Sequence, residues 1–529
     1  MPLPTTDTVW PPVDDRVQSA RADWDAWYSA EPDRLEQRYQ GRGYREALDR
    51  PTQYRGGLVG RLARWFWGNP TAPGEKRTKV HVPLAGDIAR TSSELLFSEP
   101  PKFTGGNDVT QQRLDDLTAG GLHPTLLEGG EVCAAIGGAY LRVVWDEGVS
   151  DRPWIDVVAA DRAVPEFRYG RLVAVTFWTV LENDDANDRR VFRHLEKHEK
   201  GRIYHGLYEG SLTSLGAIRP LEDHLATAPL ATEVDEEGGL DTGAPDHLTA
   251  AHVPNVRPAR GWRHIPSAAY LGQSDFQGIE GLFDALDETM SSWMRDVQNG
   301  KGRVIVPDAM LQSLGPGQGG QWNEDQRIYS GLSMLPRPGD PNPLTVVQFD
   351  IRVTEHRETC AELIEQAVRQ AGYSASTFGE SDGAAMTATE IRARQARSMG
   401  TRARKALYWG PALADVTAAL LAVEAGERFG VSGLDVSEPP KVEFQDSISE
   451  GPTELANTAE LLNRAVAAST DTKVRLIHPD WDKEQVEAEV EKILKESGQL
   501  VADPAMTGAE GGGHAGFPSN GGGSGSQGS

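Results

Sequence analysis

Residues 274–302 read SDFQGIEGLFDALDETMSSWMRDVQNGKG. Ser274 and Gln277 have the S-x-x-Q spacing of a capping box, so a helix is predicted to start at Ser274. Phe276, Ile279, Leu282, Phe283, Leu286, Met290, Trp293, Met294 and Val297 then recur at intervals of one, three and four, the mark of an amphipathic helix with one buried face. Gly300 and Gly302 end it. Opposite the apolar face stand Glu280, Asp284, Asp287, Glu288 and Asp296 against a single Arg295. This spacing makes an acidic stripe bordering solvent or a channel. It does not pin two carboxylates across a substrate, as acid/base work requires.

Toward the C-terminus, residues 303–350 hold two short strand-like runs, Arg303–Val306 and Leu344–Phe349, around a loop rich in Gly and Pro. A second helix is predicted from about Val353 to Ala371, with Cys360, Leu363, Ile364, Ala367 and Val368 as its apolar stripe and Gly372 as its C′ residue. Tyr373 to Ala385 is small and polar, with Ser374, Ser376, Thr377, Glu380, Ser381, Asp382 and Gly383, and reads as a mobile loop. Thr387 and Glu390 form another capping box, and the helical pattern then continues to about Arg428, a span of roughly 60 Å at 1.5 Å per residue. Gly410-Pro411 should kink it. Between Met386 and Lys405 this helix carries six basic residues against the single acid Glu390. Arg394, Arg397, Arg404 and Lys405 fall within an arc of about 100°. That face suits either phosphate contact or intersubunit salt bridges to the acidic stripe around Asp284.

Toward the N-terminus, Pro83 opens an amphipathic helix, Leu84 to Phe97, stopped by Pro100-Pro101, and a further helix around Pro124 to Ile136 ends at Gly137-Gly138. From Ala139 the period becomes alternating. Tyr140–Trp145, Trp154–Ala159, Leu172–Val180, Val191–Glu199 and Arg202–Tyr208 read as strands of one antiparallel meander, about 139–210, with a hairpin at Lys200-Gly201. Residues 211–260 read as a long irregular linker, and residues 1–80 as polar helices punctuated by Trp24, Trp27, Tyr28, Trp65, Phe66 and Trp67. Past Pro439-Pro440, short helices are predicted at Thr453–Ala467, Thr472–Ile477 and Lys483–Glu496, before a Gly- and Ser-rich tail, 501–529, that reads as disordered. The class is α+β.

At 529 residues the chain should form about two to four structural units. Cys133 and Cys360 cannot build a disulfide framework or a zinc ligand set, which fits a reducing compartment. The N-terminus lacks the basic and apolar regions of a secretion signal, and no uninterrupted apolar run is long enough to span a membrane. The net charge is −25, with 53 Lys and Arg against 78 Asp and Glu. Tight DNA binding usually needs the opposite balance; a conduit whose wall must not grip its passenger does not. No P-loop, G-x-S-x-G or H-E-x-x-H occurs. Gly315–Gly320 is only superficially like a phosphate loop and reads as a flexible loop. His194, His198 and His205 fall on the predicted hairpin; without an acidic or Cys partner at a defining spacing they read as surface histidines rather than metal ligands. No catalytic, cofactor-binding or metal-binding residue is assigned.

Several runs nevertheless resemble those of siphophage portal proteins, especially of phages infecting actinobacteria. They are His81-Val-Pro-Leu-Ala-Gly-Asp-Ile-Ala continuing to Ser93-Glu-Leu-Leu-Phe-Ser-Glu-Pro-Pro, Gly272-Gln-Ser-Asp-Phe-Gln-Gly-Ile-Glu, Phe378-Gly, Thr387-Ala-Thr-Glu-Ile-Arg, Tyr408-Trp-Gly-Pro, and His478-Pro-Asp-Trp. The resemblance implies a ring of roughly twelve subunits at one capsid vertex, through which double-stranded DNA passes without tight binding. It maps 1–270 to a wing, 271–302 and 351–372 to two stem helices, and 303–350 to a clip. It further maps 373–385 to a tunnel loop, 386–430 to a long kinked helix of the wing, and 440–500 to a crown. On this map Glu280, Asp284, Asp287 and Glu288 line the channel, and the tunnel-loop residues face DNA. The implied partners are terminase large subunit, a head-completion or adaptor protein, major capsid and scaffold proteins, and further copies of the chain. The implied location is the virion, after assembly in the host cytoplasm. The alternatives are another head or neck structural protein without a channel, and a cytoplasmic enzyme.

Overall fold

In the computed structural model the described residues are 3–40, 66–67, 79–182, 190–300, 303–305, 312–313, 320–321, 345–347, 351–378, 388–444, 452–478, 481 and 483–496. They fall into two units, Met1–Ser447 and Ile448–Ser529.

The first unit opens with α1 (Asp15–Tyr28) and α2 (Pro32–Tyr39). The aromatic punctuation of α1 is core: Trp24 lies 5.4 Å from Trp262 and Trp27 lies 5.6 Å from Phe283, ring centre to ring centre. Next come α3 (Leu84–Phe97), β1 (Lys102–Thr104) and α4 (Asp108–Leu117). The Asn107 side chain caps α4 by accepting from the Thr110 amide. Helix α5 (His123–Ile136) ends on Gly137 at φ 90°, the left-handed stop expected of that glycine.

The predicted meander is two sheets. β2 (Gly138–Val144) and β3 (Trp154–Ala159) form one antiparallel pair. A single helical turn, Ala160–Arg162, then redirects the chain into the second sheet. There β4 (Ala163–Arg168), β5 (Arg171–Leu181), β6 (Val191–Glu199), β7 (Arg202–Gly210) and β8 (Ala217–Arg219) pair in order. β9 (Gly239–Asp241) adds to β7, and β10 (Ala250–Pro254) returns to pair with β2. The linker expected over 211–260 therefore holds three strands. Each is too short, and too mixed with Gly, Pro and acids, to show a period.

Helix α6 spans Glu280–Asn299, not Ser274 onward. The Ser274 hydroxyl accepts from the Phe276 amide and donates to the Ala134 carbonyl, and Gly278 sits at φ 87°, so the chain turns once more before coiling. β11 (Arg303–Ile305) pairs with β14 (Thr345–Val347), joining the two predicted runs, and β12 (Gln312–Ser313) pairs with β13 (Gly320–Gln321). Helix α7 spans Val353–Ala371 with Gly372 at φ 100°, as read from the sequence. Helix α8 spans Ala388–Ala425 and continues through Pro411; Thr387 lies outside the described residues. β15 (Lys441–Glu443) closes back on β1. By length and composition Gln395–Ala425 could cross a membrane. Yet Trp409, Leu413, Val416 and Leu420 are buried in the core, with Trp409 edge-on to Phe97 at 4.9 Å. Its apolarity serves packing.

The second unit contains α9 (Pro452–Arg464), α10 (Thr470–Ile477) and α11 (Lys483–Glu496), close to their predicted bounds. The tail 501–529 lies outside the described residues.

Candidate functional site

The long helix α8 carries Ser398, Thr401 and Lys405 at i, i+3 and i+7, one face of a helix, and all three are buried. They hold the stretch that follows α7. The Ser398 hydroxyl accepts from the Ser374 amide at 2.9 Å and lies 2.8 Å from the Thr377 hydroxyl. Thr401 donates to the Gly372 carbonyl at 2.6 Å. The Lys405 ammonium donates to Asp275 Oδ2 and to Ser92 Oγ, each at 2.6 Å. Asp275 also accepts from the Tyr373 hydroxyl at 2.7 Å and from Asn255 Nδ2 at 2.8 Å. One buried carboxylate thus ties together the start of the α6 segment, the exit of β10, the end of α7 and α8, while Lys405 adds α3. Burial and the neighbouring Asp275 push the Tyr373 hydroxyl well above its ordinary range, so it stays a donor.

This hub corrects two expectations. The stretch beginning at Tyr373 is no loose loop at its start: Tyr373 is buried, and Ser376 and Thr377 belong to a helical turn, Ala375–Phe378, pinned through Ser374 and Thr377 to Ser398. Glu380, Ser381, Asp382 and Gly383 lie outside the described residues. The basic face also divides. Arg397 and Arg404 are exposed as expected, but Lys405 points inward to Asp275, and the side chain of Arg394 is outside the described set. The arc was wide enough for one edge to turn into the core.

The acidic stripe divides more sharply. Asp284 and Asp287 are buried, contrary to a solvent- or channel-facing reading. Asp287 accepts from the Val82 amide at 2.8 Å and from Trp67 Nε1 at 3.3 Å, and lies 2.7 Å from His81 Nδ1. Burial pushes its carboxyl above the ordinary range, opposed by His81 and the Val82 amide. Trp67 and His81 cover this side of α6, so its polar side is not its outer side. Glu280 is half-buried and accepts from the Gly278 amide, and Glu288 pairs with Arg295 at 2.9 Å. Asp296 bridges to α7, 2.9 Å from Arg352 and 3.0 Å from His356, and both partners hold it below the usual carboxylate range.

The open acidic face lies instead on α7. Glu355, Glu358, Glu362 and Glu365 are all exposed at i, i+3, i+7 and i+10. The same periodicity that marked the apolar stripe of this helix would have shown them.

The histidines are not on the surface. His198 is fully buried, 2.7 Å from Thr249 Oγ1 and 2.5 Å from Glu196 Oε1, while Arg142 Nη1 reaches Glu196 Oε2 at 2.7 Å across the two sheets. The His194 and His205 rings stack, centres 5.3 Å apart. Burial depresses both, His205 to about 4, so they sit neutral at neutral pH. Among the described residues no group of three or more His, Cys, Asp or Glu side chains is arranged to hold a metal ion.

A family model described as "Phage portal protein, SPP1 Gp6-like" matches residues 33–501. No curated protein matches the chain. Among solved structures, the neck of a native GTA particle computed with C12 symmetry aligns at TM-score 0.36 and 15% identity, covering 81% of this chain and 94% of that one. The neck of an empty GTA particle computed with C6 symmetry aligns at TM-score 0.35 and 14% identity, covering 82% and 98%.

Proposed function

The chain belongs to the SPP1 Gp6-like family of phage portal proteins, and from that premise we propose that its copies close into a ring of roughly twelve subunits through which double-stranded DNA is packaged and ejected. The observation that carries this reading is the extent of the family match, which runs from α2 in the first unit past α11 in the second. In this reading the protein does no chemistry of its own. It is a particle component, with terminase large subunit docking during packaging and a head-completion or adaptor protein afterwards. Residues 303–350 take the role of the docking clip, and major capsid and scaffold proteins surround the wing.

The exposed carboxylates of α7 fit the channel wall better than the α6 stripe does. A wall carrying fixed negative charge disfavours phosphate approach, so the duplex is not held along its length. The Ser398–Thr401–Lys405 staple fits a firm mount for the DNA-facing segment: it fixes 372–378 to α8, so a displacement of residues 379–387 would be passed to that helix. Arg397 and Arg404, exposed on the same helix, remain candidates for phosphate or a neighbouring subunit. Deleting Ser381–Ala385 tests the assignment. Particles built with the shortened chain should contain rings yet little DNA, and normal DNA content would refute the role given to this segment.

A further inference from the structure

The segment following β10 has a period the sequence did not advertise. Ala259, Trp262, Ile265, Ala268 and Leu271 are buried, and the amides of Trp262, Ile265, Ala268 and Leu271 each donate to the carbonyl three residues earlier. Within such a turn side chains at i and i+3 lie above one another, at about 2.0 Å rise per residue, and extended backbone at Ile265 separates the turn Arg260–Trp262 from the turn Pro266–Ala268. With every third residue turned inward, Arg260 and Arg263 share an exposed ridge, about 6 Å apart along it, and the half-buried Arg257 precedes them across extended backbone.

A second element meets this ridge. The Arg257 guanidinium lies 5.5 Å from the centre of the Tyr270 ring, and that ring packs on Phe167 at 5.5 Å. A Cβ on Gly170 would sit 3.2 Å from it. The β4–β5 hairpin tip is therefore seated beside the ridge, and it adds Arg168 and Arg171, both exposed. Tyr169 occupies the turn at φ 50° and is 97% exposed. A bulky residue in the left-handed region is uncommon, and here the conformation stands its ring in solvent. None of the five guanidiniums makes an ion pair among the described residues, and residues 167–172 and 257–271 contain no carboxylate. Asp415, on another element, stands within electrostatic reach of Arg171; in a chain of net charge −25, so arginine-rich a patch is a specific feature.

We propose that the face formed by Arg168, Tyr169, Arg171, Arg257, Arg260 and Arg263 docks a short acidic segment of a partner protein. All five cations are Arg, whose planar fork takes carboxylates two oxygens at a time. Arg and Tyr are also among the residues that carry most binding energy at protein interfaces. A duplex is a poorer fit. Its charge recurs every ~1.7 Å along the axis, so most of it would lie against the acidic remainder of the chain. A short acidic peptide sets its charge on the ridge alone. The proposal does not depend on ring assembly.

The test is fluorescence anisotropy of a labelled oligo-glutamate peptide titrated with the full chain at low salt, beside a labelled random-sequence duplex. The peptide should bind, more tightly than the duplex. Arg260→Glu with Arg263→Glu should weaken it about tenfold or more, as should Arg168→Glu with Arg171→Glu on the separate hairpin, each variant checked for fold by circular dichroism. Two variant pairs on different elements keep the test intact if one fails to fold. Equal peptide binding by wild type and both variants overturns the proposal. Tighter binding of the duplex also overturns it and makes the face a nucleic-acid surface. Protection of the ridge in the self-assembled chain, with no peptide binding, overturns it in favour of a contact between copies.

Discussion

At the scale of single residues, Lys405 carries the most consequence. It is a buried cation whose charge is met by Asp275 and whose remaining capacity is used by Ser92. Replacing it with Met leaves the Asp275 carboxylate buried without its cation, which should cost about 3–5 kcal/mol in urea unfolding. Pairing Lys405→Met with Asp275→Asn should recover part of that loss, because a neutral amide can still accept from Tyr373. A single-variant cost below ~1 kcal/mol would show that the ion pair is not what fixes the hub. None of this was legible locally. Lysine is almost never fully buried unless paired, and periodicity fixes the angle of Lys405 on its helix without saying what lies opposite. Its partner is 130 residues away in the chain. The same holds for Asp287, whose partners His81 and Trp67 are 206 and 220 residues distant. Sequence spacing finds charges that pair within a helix; it is blind to charges that pair across the fold.

At the scale of elements, the readable helices were those with a regular apolar stripe and a local stop signal. Val353–Ala371 with Gly372, Leu84–Phe97 and Lys483–Glu496 have their predicted bounds. The start of α6 does not, because the Ser274 hydroxyl is used by α5 and by a turn instead of by a helix terminus. β8, β9 and β10, at three to five residues, are too short to show alternation. On α7 the exposed glutamates share the helical period of the apolar stripe. Their role makes a direct prediction. Glu358→Lys with Glu362→Lys alters solvent-facing positions, so stability should change by no more than about 0.5 kcal/mol. Assembled rings should at the same time acquire salt-dependent retention of duplex DNA in a filter-binding assay. If retention is unchanged, α7 does not line the passage.

At the scale of the whole molecule, a net charge of −25 accords with a wall that does not grip a duplex. The chain offers a scaffold with an acidic face, and exposed basic clusters stand on α8 and beside the β4–β5 tip. The α+β class and the order of the major elements could be read from periodicity. The division of the meander into two sheets and the buried hub could not, since both are set by contacts between distant segments. A portal requires that identical copies surround an opening. Negative-stain electron microscopy of the purified full-length protein tests it most directly: it should show closed rings with a central hole wide enough for B-form DNA. Particles that stay monomeric at high protein concentration, or assemblies with no such hole, would contradict it.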